Sequence, residues 1–207
     1  MDTGAALRAS RVLLTGPPGI GKTTLCKKLA LMMEEQSYKF DGFYTEEVRG
    51  QSGSRIGFDV VLMKNRDEKS TLARIENVIN QSQHSKYKVG NYHVFLNDFE
   101  ATVLPVFDSN ADILIIDEIG KMELFSQRFH DKIVKLFFGT PKIPFIIATI
   151  PQMHKVPQRH LSLFQKLHAD KRCKIITVNR QNRDNLPGEI FPLILQVCIN
   201  LYHKRTG

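Results

Sequence analysis

Gly16-Pro17-Pro18-Gly19-Ile20-Gly21-Lys22-Thr23 is the stretch on which the reading of this chain turns. It fits G-x-x-x-x-G-K-[ST], and a chance match in a chain of this length is roughly a one-in-a-hundred event at ordinary glycine content. The flanks support it. Arg11 to Thr15 holds Val12-Leu13-Leu14 and predicts a short buried strand. Lys22 to Gln36 sets Leu25, Leu29, Met32 and Met33 at helical spacing, which predicts a helix. Between the two, glycines let backbone N–H groups converge on phosphate oxygens with no Cβ in the way. The start of the helix adds positive partial charge. Lys22 can reach the terminal phosphates, and Thr23 can offer its hydroxyl to Mg²⁺. The pattern implies a nucleoside triphosphate with Mg²⁺, contacted by Gly16, Pro17, Pro18, Gly19, Ile20, Gly21, Lys22, Thr23 and Thr24.

A second segment completes the chemistry. Ile113-Leu114-Ile115-Ile116 is a continuous apolar run, as in a strand buried on both faces of a parallel sheet. Asp117 and Glu118 follow. At the carboxyl edge of such a strand, where ligands of open α/β sheets gather, Asp117 would hold Mg²⁺ through water. Glu118 is then placed to polarise the attacking water as general base. A kinase has to keep water out, whereas a hydrolase needs a base aimed at it, so the Asp-Glu pair leans towards hydrolysis.

Working outward, Asp41 to Arg49 and Arg55 to Met63 predict two strands, and Gln51-Ser52-Gly53-Ser54 between them predicts a hairpin turn. Residues 64–86 are polar and weakly patterned and read as a long connection. Tyr87 to Leu96 is strand-like. Asn97-Asp98-Phe99-Glu100 has the spacing of a capping box and predicts a short helix to about Phe107. A helix over Ser126 to Phe138, strands at Phe145 to Ala148 and Lys174 to Val178, and a last helix over Glu189 to His203 with Pro192 in its first turn complete the pattern. Strands alternating with helices predict an α/β fold: a mainly parallel central sheet flanked by helices, with an antiparallel hairpin addition. One domain over 1–207 is expected, with residues 1–10 a flexible lead.

Composition sets bounds. The 207 residues are 42% hydrophobic and 24% charged, which suits a single globular domain. No apolar run approaches the roughly 20 residues that span a bilayer, and the start shows no secretory pattern. Cys26, Cys173 and Cys198 are far apart and show no metal spacing, so reduced thiols and an intracellular, cytoplasmic setting are expected. The net charge of +8 favours anionic partners without identifying them. Lys155, Arg159, Lys166, Lys171 and Arg172 concentrate that charge, as a solvated helix face, a lid over triphosphate or a nucleic-acid surface. No aromatic residues interleave with them as in a single-strand platform. A monomer acting on nucleotides is expected, without nucleic-acid or membrane partners.

Taken together, four segments resemble one known family. They are Gly16 to Thr24, Asp41 to Arg49 (DGFYTEEVR), Arg55 to Val61 (RIGFDVV) and Ile116 to Ser126 (IDEIGKMELFS), in that order. The chain resembles, from about Arg11 to about Leu186, the family of the cancer-related nucleoside-triphosphatase of vertebrates and its small thermophile relatives. The resemblance implies a P-loop fold of the type with an added strand and a catalytic glutamate. It also implies Mg²⁺-dependent hydrolysis of ATP, GTP, CTP and UTP to diphosphate and phosphate; slow turnover is expected because the sequence shows no activating partner. Lys22 and Glu118 carry the catalytic roles; Thr23 and Asp117 hold the metal. Ile115, Ile116 and Gly120 would lie beside the nucleotide, Thr149 would sense the γ-phosphate, and Asn182-Arg183 would stand near the base.

Other residues leave alternatives open. Glu46, Glu47, Arg49, Arg55 and Asp59 form either the exposed face of the hairpin or a wall near the γ-phosphate. Arg49, Arg55, Arg159, Arg172 and Arg183 are all candidates to spread transition-state charge. The seven histidines form no ligand spacing and are assigned no chemistry. Asn179-Arg180-Gln181-Asn182 lacks the Lys and Asp of the guanine-reading N-K-x-D, so poor base selectivity is expected. A small-molecule or nucleotide kinase on the same loop is the alternative, and a nucleic-acid motor rests on charge alone.

Overall fold

The computed structural model describes residues 10–139 and 145–206. The expected lead at residues 1–10 lies almost wholly outside them. In chain order the elements are β1 (Arg11–Thr15), α1 (Lys22–Glu35), β2 (Phe40–Arg49), β3 (Arg55–Leu62), β4 (Lys69–Ile75), β5 (Lys88–Val89) and β6 (Tyr92–Val94). Then come α2 (Leu96–Val103), β7 (Ile113–Asp117), α3 (Gln127–Phe138), β8 (Phe145–Thr149), α4 (Leu161–Ala169), β9 (Cys173–Thr177) and α5 (Leu186–Thr206).

The nine strands of the described residues form one sheet in the order β5-β6-β4-β3-β2-β7-β8-β1-β9. From β2 to β9 every pairing is parallel. From β2 outward to β5 every pairing is antiparallel. β8 lies between β1, which carries the glycine loop, and β7, which carries the acidic pair, and this is the added-strand arrangement expected of the fold.

The apolar runs bury both faces of the parallel half, with a period of two. Val12 and Leu14, with Ile113, Ile115 and Ile147, face α1 and α5. Leu13, Leu114, Ile116, Ile146 and Ala148 face the opposite way, against α2, α3 and α4. At the centre of that second layer Phe129 packs edge-on against Phe43, Phe99 and Phe107.

Four expectations are corrected. The polar tract 64–86 is not a bare connection: it contains β4, hydrogen-bonded to β3 on one side and β6 on the other, with only Leu72 and Ala73 buried. The capping box does not form. α2 starts two residues early at Leu96, with Phe95 rather than Asn97 at its N-cap, and the Phe95 N–H donates to the Leu72 carbonyl at 2.9 Å. Glu100 is drawn off instead by the Ser126 hydroxyl at 2.5 Å and Arg128 at 3.1 Å. The last helix begins at Leu186, so Pro192 sits inside it rather than in its first turn. The start is moved back by the turn at 182–185, where the Asn182 carbonyl accepts from Asn185 and Leu186, both at 3.0 Å. The strand expected over Tyr87 to Leu96 is in fact the tight hairpin β5–β6, turning at Gly90 with φ +56°.

Candidate functional site

The glycine loop leaves β1 and enters α1 over the carboxyl edge of the parallel strands. Gly16 takes φ +150°, and a Cβ there would stand 2.6 Å from the Val178 carbonyl oxygen, so only glycine lets the loop turn against the end of β9. α1 has Gly21 at its N-cap, which offers no side-chain cap, and no acid in its first turn. Its opening N–H groups are therefore left to an anion. The Lys22 ammonium folds back over the loop, donating to the Gly16 carbonyl at 3.2 Å and the Pro17 carbonyl at 3.3 Å. Those are the contacts a terminal phosphate would compete for.

Asp117 ends β7 and is buried. Its Oδ1 accepts from the Thr149 hydroxyl at 2.5 Å, and its backbone carbonyl accepts from the Thr45 hydroxyl at 3.1 Å. Its Oδ2 is buried with no hydrogen-bond partner. Burial raises the Asp117 pKa, while the hydroxyls of Thr149 and Thr23 and the Lys22 charge pull it down. An orphaned carboxylate oxygen next to a threonine hydroxyl is a hard-oxygen donor set of the kind Mg²⁺ takes. Thr149, expected to sense a phosphate, has its hydroxyl committed to Asp117.

Glu118 lines a cavity of about 270 Å³ together with Gly16, Pro18, Lys22, Thr45, Phe58, Pro151 and Lys155. Burial, then the Asp117 charge, pushes its pKa up to about 7, against the pull of Lys22. Glu123 lines the same cavity, although sequence reasoning passed it over. Burial and the Glu118 charge push it up to about 8. The two carboxyls converge over Gly120, where a Cβ would stand 2.7 Å from Glu123 Oε2 and 2.9 Å from Glu118 Oε1. Gly120 thus leaves room for the acids. Ile115 and Ile116 lie wholly in the two cores and leave no side-chain surface for a ligand; they carry Asp117 to the strand end.

The Asn182 side chain is used locally, its Oδ1 accepting from Asn179 N–H and its Nδ2 donating to the Thr177 carbonyl, both at 2.9 Å. Arg183 lies along the loop, its Nη1 3.4 Å from the Ile20 carbonyl. Thr24 is exposed.

None of the five candidate arginines lines the cavity; its cations are Lys22, Lys121 and Lys155. Arg49 and Arg55 pair with Glu47 at 2.6 and 3.0 Å. Arg172 grips Asp170 and donates to the Phe137 carbonyl. Arg159 lies over the Phe125 ring at 4.5 Å. The hairpin charges are mostly spent on ion pairs, Asp59 on Arg74 of β4 at 2.6 Å and Glu46 on Lys27 of α1 at 3.1 Å; the site wall is made instead by Thr45 and Phe58. The basic tract 154–174 is chiefly a solvated face, from which Lys155 alone reaches the cavity. A larger hollow of about 930 Å³ lies on the antiparallel extension, but neither the loop nor the acids of the site line it.

Among the described residues no helix is long and apolar enough to cross a membrane. Residues 11–191 match the model of a family described as NTPase. The chain is 41% identical to the human cancer-related nucleoside-triphosphatase over 88% of its own length and 95% of that protein. It is 37% identical to the nucleoside-triphosphatase THEP1 of Methanocaldococcus jannaschii, over 89% of this chain and 97% of that one. The crystal structure of THEP1 from the hyperthermophile Aquifex aeolicus superposes with a TM-score of 0.71 at 30% identity, covering 89% of this chain and 98% of the other.

Proposed function

The chain belongs to this NTPase family, and we propose that it hydrolyses nucleoside 5′-triphosphates to diphosphate and phosphate with Mg²⁺, slowly and with little regard for the base. One observation carries the reading: Glu118 shares a small cavity with Gly16 and Lys22, one residue beyond the unpartnered Asp117 Oδ2. A carboxylate there is aimed at the volume that the end of a triphosphate chain would enter.

In this reading the opening N–H groups of α1 and the Lys22 ammonium hold the β- and γ-phosphates. Thr23 and Asp117 would hold Mg²⁺, which supplies charge neutralisation on the phosphate oxygens. Thr149 and Thr45 fix the Asp117 carboxylate and backbone. Glu118, partly buried and with its pKa near neutrality, accepts a proton from a water set against the γ-phosphorus as the bond to the bridging oxygen breaks. Lys121 and Lys155, rather than an arginine, are placed to offset charge on the departing oxygens. Poor base selectivity follows from Asn182, whose amide is already paired within its own turn.

Phosphate release over ATP, GTP, CTP and UTP, with and without Mg²⁺ and with no acceptor added, tests the proposal. Turnover of all four within about a factor of ten, lost without Mg²⁺, is the expected result. A thousandfold preference for one base would sink the broad-specificity reading. Silence until a hydroxyl acceptor is added would make the chain a kinase.

A further inference from the structure

A second group of donor atoms gathers where the antiparallel extension turns back on itself. β4 pairs with β6 so that Arg74 faces His93 and Ile75 faces Tyr92. Glu76 follows β4 directly, and its N–H donates to the Asn91 carbonyl at 3.3 Å, which keeps it on the face that holds His93. His84 arrives from the loop and stacks on His93, with ring centroids 4.6 Å apart and planes at 30°. One carboxylate oxygen of Glu76, one ring nitrogen of His84 and one of His93 lie within 4.8 Å of one another.

His93 is the informative member. It is fully buried, yet its Nε2 has no hydrogen-bond partner. Its Nδ1 either accepts from the Ser85 N–H at 3.0 Å or donates to the Ser85 carbonyl oxygen at 3.1 Å, according to the tautomer. A buried polar nitrogen without a partner is costly for a purely structural residue. In the tautomer in which Nδ1–H donates instead to the Ser85 carbonyl, the Nε2 lone pair is bare, and that backbone contact is the one that orients a metal-binding imidazole; an ion on Nε2 selects this tautomer over the one that accepts from the Ser85 N–H. Glu76 and His84 are exposed, so both can rotate to the donor spacing of about 3.4 Å that a tetrahedral site with bonds near 2.1 Å requires. The Lys88 ammonium stands 3.7 Å from Glu76 Oε2, on a half-exposed stem that can swing into water.

We propose that Glu76, His84 and His93 bind one Zn²⁺ ion, separate from the nucleotide site, with a fourth position open to water. Two imidazoles and a carboxylate suit zinc, and the ion joins the end of β4 and the 76–86 loop to β6.

The test titrates Zn²⁺ into the nucleotide-free full chain against a chromophoric chelator, with millimolar Mg²⁺ present to occupy the Thr23–Asp117 site. His93→Ala opens a hole in a buried position, so the variants are the exposed His84→Ala, Glu76→Gln and their double. Wild type should take up one equivalent with a dissociation constant below about ten micromolar. Each single variant should bind at least tenfold more weakly, while its metal-free melting temperature and its phosphate release with Mg²⁺ stay at wild-type values. Zn²⁺ should raise the melting temperature of wild type but not of the double variant. No uptake below ten micromolar would overturn the site. Equal affinity in the double variant would also overturn it and move the ion to Cys26, Cys173, Cys198 or the Mg²⁺ site. Failure here leaves the hydrolysis reading untouched, because phosphate release is followed without zinc.

Discussion

At the scale of single residues, Glu118 can be separated from everything that binds. Glu118→Gln keeps size and hydrogen bonding but removes the base, while Lys22, Thr23 and Asp117 remain. Triphosphate affinity should stay within a few-fold of wild type, and single-turnover hydrolysis should fall by about 10²–10⁴, roughly 3–5 kcal/mol of barrier. Because burial lifts Glu118 to about 7, the wild-type kcat/KM should rise with pH through the neutral range, and the variant should lose that limb. Nucleotide titration beside quenched-flow hydrolysis reads both, and an unchanged rate in the variant would place the water-activating group elsewhere. Glu118 itself was legible in the sequence, because a strand of four apolar residues followed by two acids is a local pattern. Glu123 was not. Five residues downstream, nothing local separates a carboxylate buried against Glu118 from one in solvent.

At the scale of elements, α3 is held at its start by one hydroxyl. Ser126 Oγ accepts from the Phe129 N–H at 3.0 Å and donates to Glu100 Oε1 at 2.5 Å. Its neighbour Phe129 fills the middle of the aromatic cluster. Ser126→Ala should therefore cost about 1–2 kcal/mol, the worth of an N-cap, with the upper end set by the partner that Glu100 loses. Urea unfolding should show the midpoint falling with an unchanged slope. A loss under 0.3 kcal/mol would mean that water replaces the cap. The same element shows how a local pattern can mislead. Asn97 to Glu100 has capping-box spacing, but Glu100 serves the start of α3 rather than its own helix. A carboxylate bonds to the nearest good donor in space, and spacing along the chain does not say which donor that is.

At the scale of the whole molecule, two sets of carboxyls set the pH dependence of stability in opposite directions. Arg172 holds Asp170 below the usual range, and Arg55 does the same for Glu47. Their contribution is present above the ordinary carboxylate pKa and is lost as pH falls through the depressed values. Glu118 and Glu123 are raised from the usual 4.5 to about 7 and about 8, so the folded state keeps protons that the unfolded chain has released. Their contribution is full below pH 4.5 and disappears as pH rises to about 8. Calorimetry without Mg²⁺ or nucleotide should find a melting temperature higher at pH 5.5 than at pH 8, and Glu123→Gln should flatten that slope. A wild-type slope of the opposite sign would show that the two acids are not buried together. The sequence by itself determined the glycine loop, the strand before it, the helix after it, the acidic pair and the alternation that makes the sheet parallel, because each rests on hydrogen bonding or apolar periodicity within a dozen residues. Tertiary structure alone decided that the polar tract at 64–86 supplies β4, whose partners β3 and β6 satisfy its backbone while only two of its side chains are buried. It alone placed lysines rather than arginines around the cavity, set Glu123 against Glu118, and brought Glu76, His84 and His93 together. Those juxtapositions depend on sheet register and loop return, and the energy that fixes them comes from contacts between segments the chain order keeps apart.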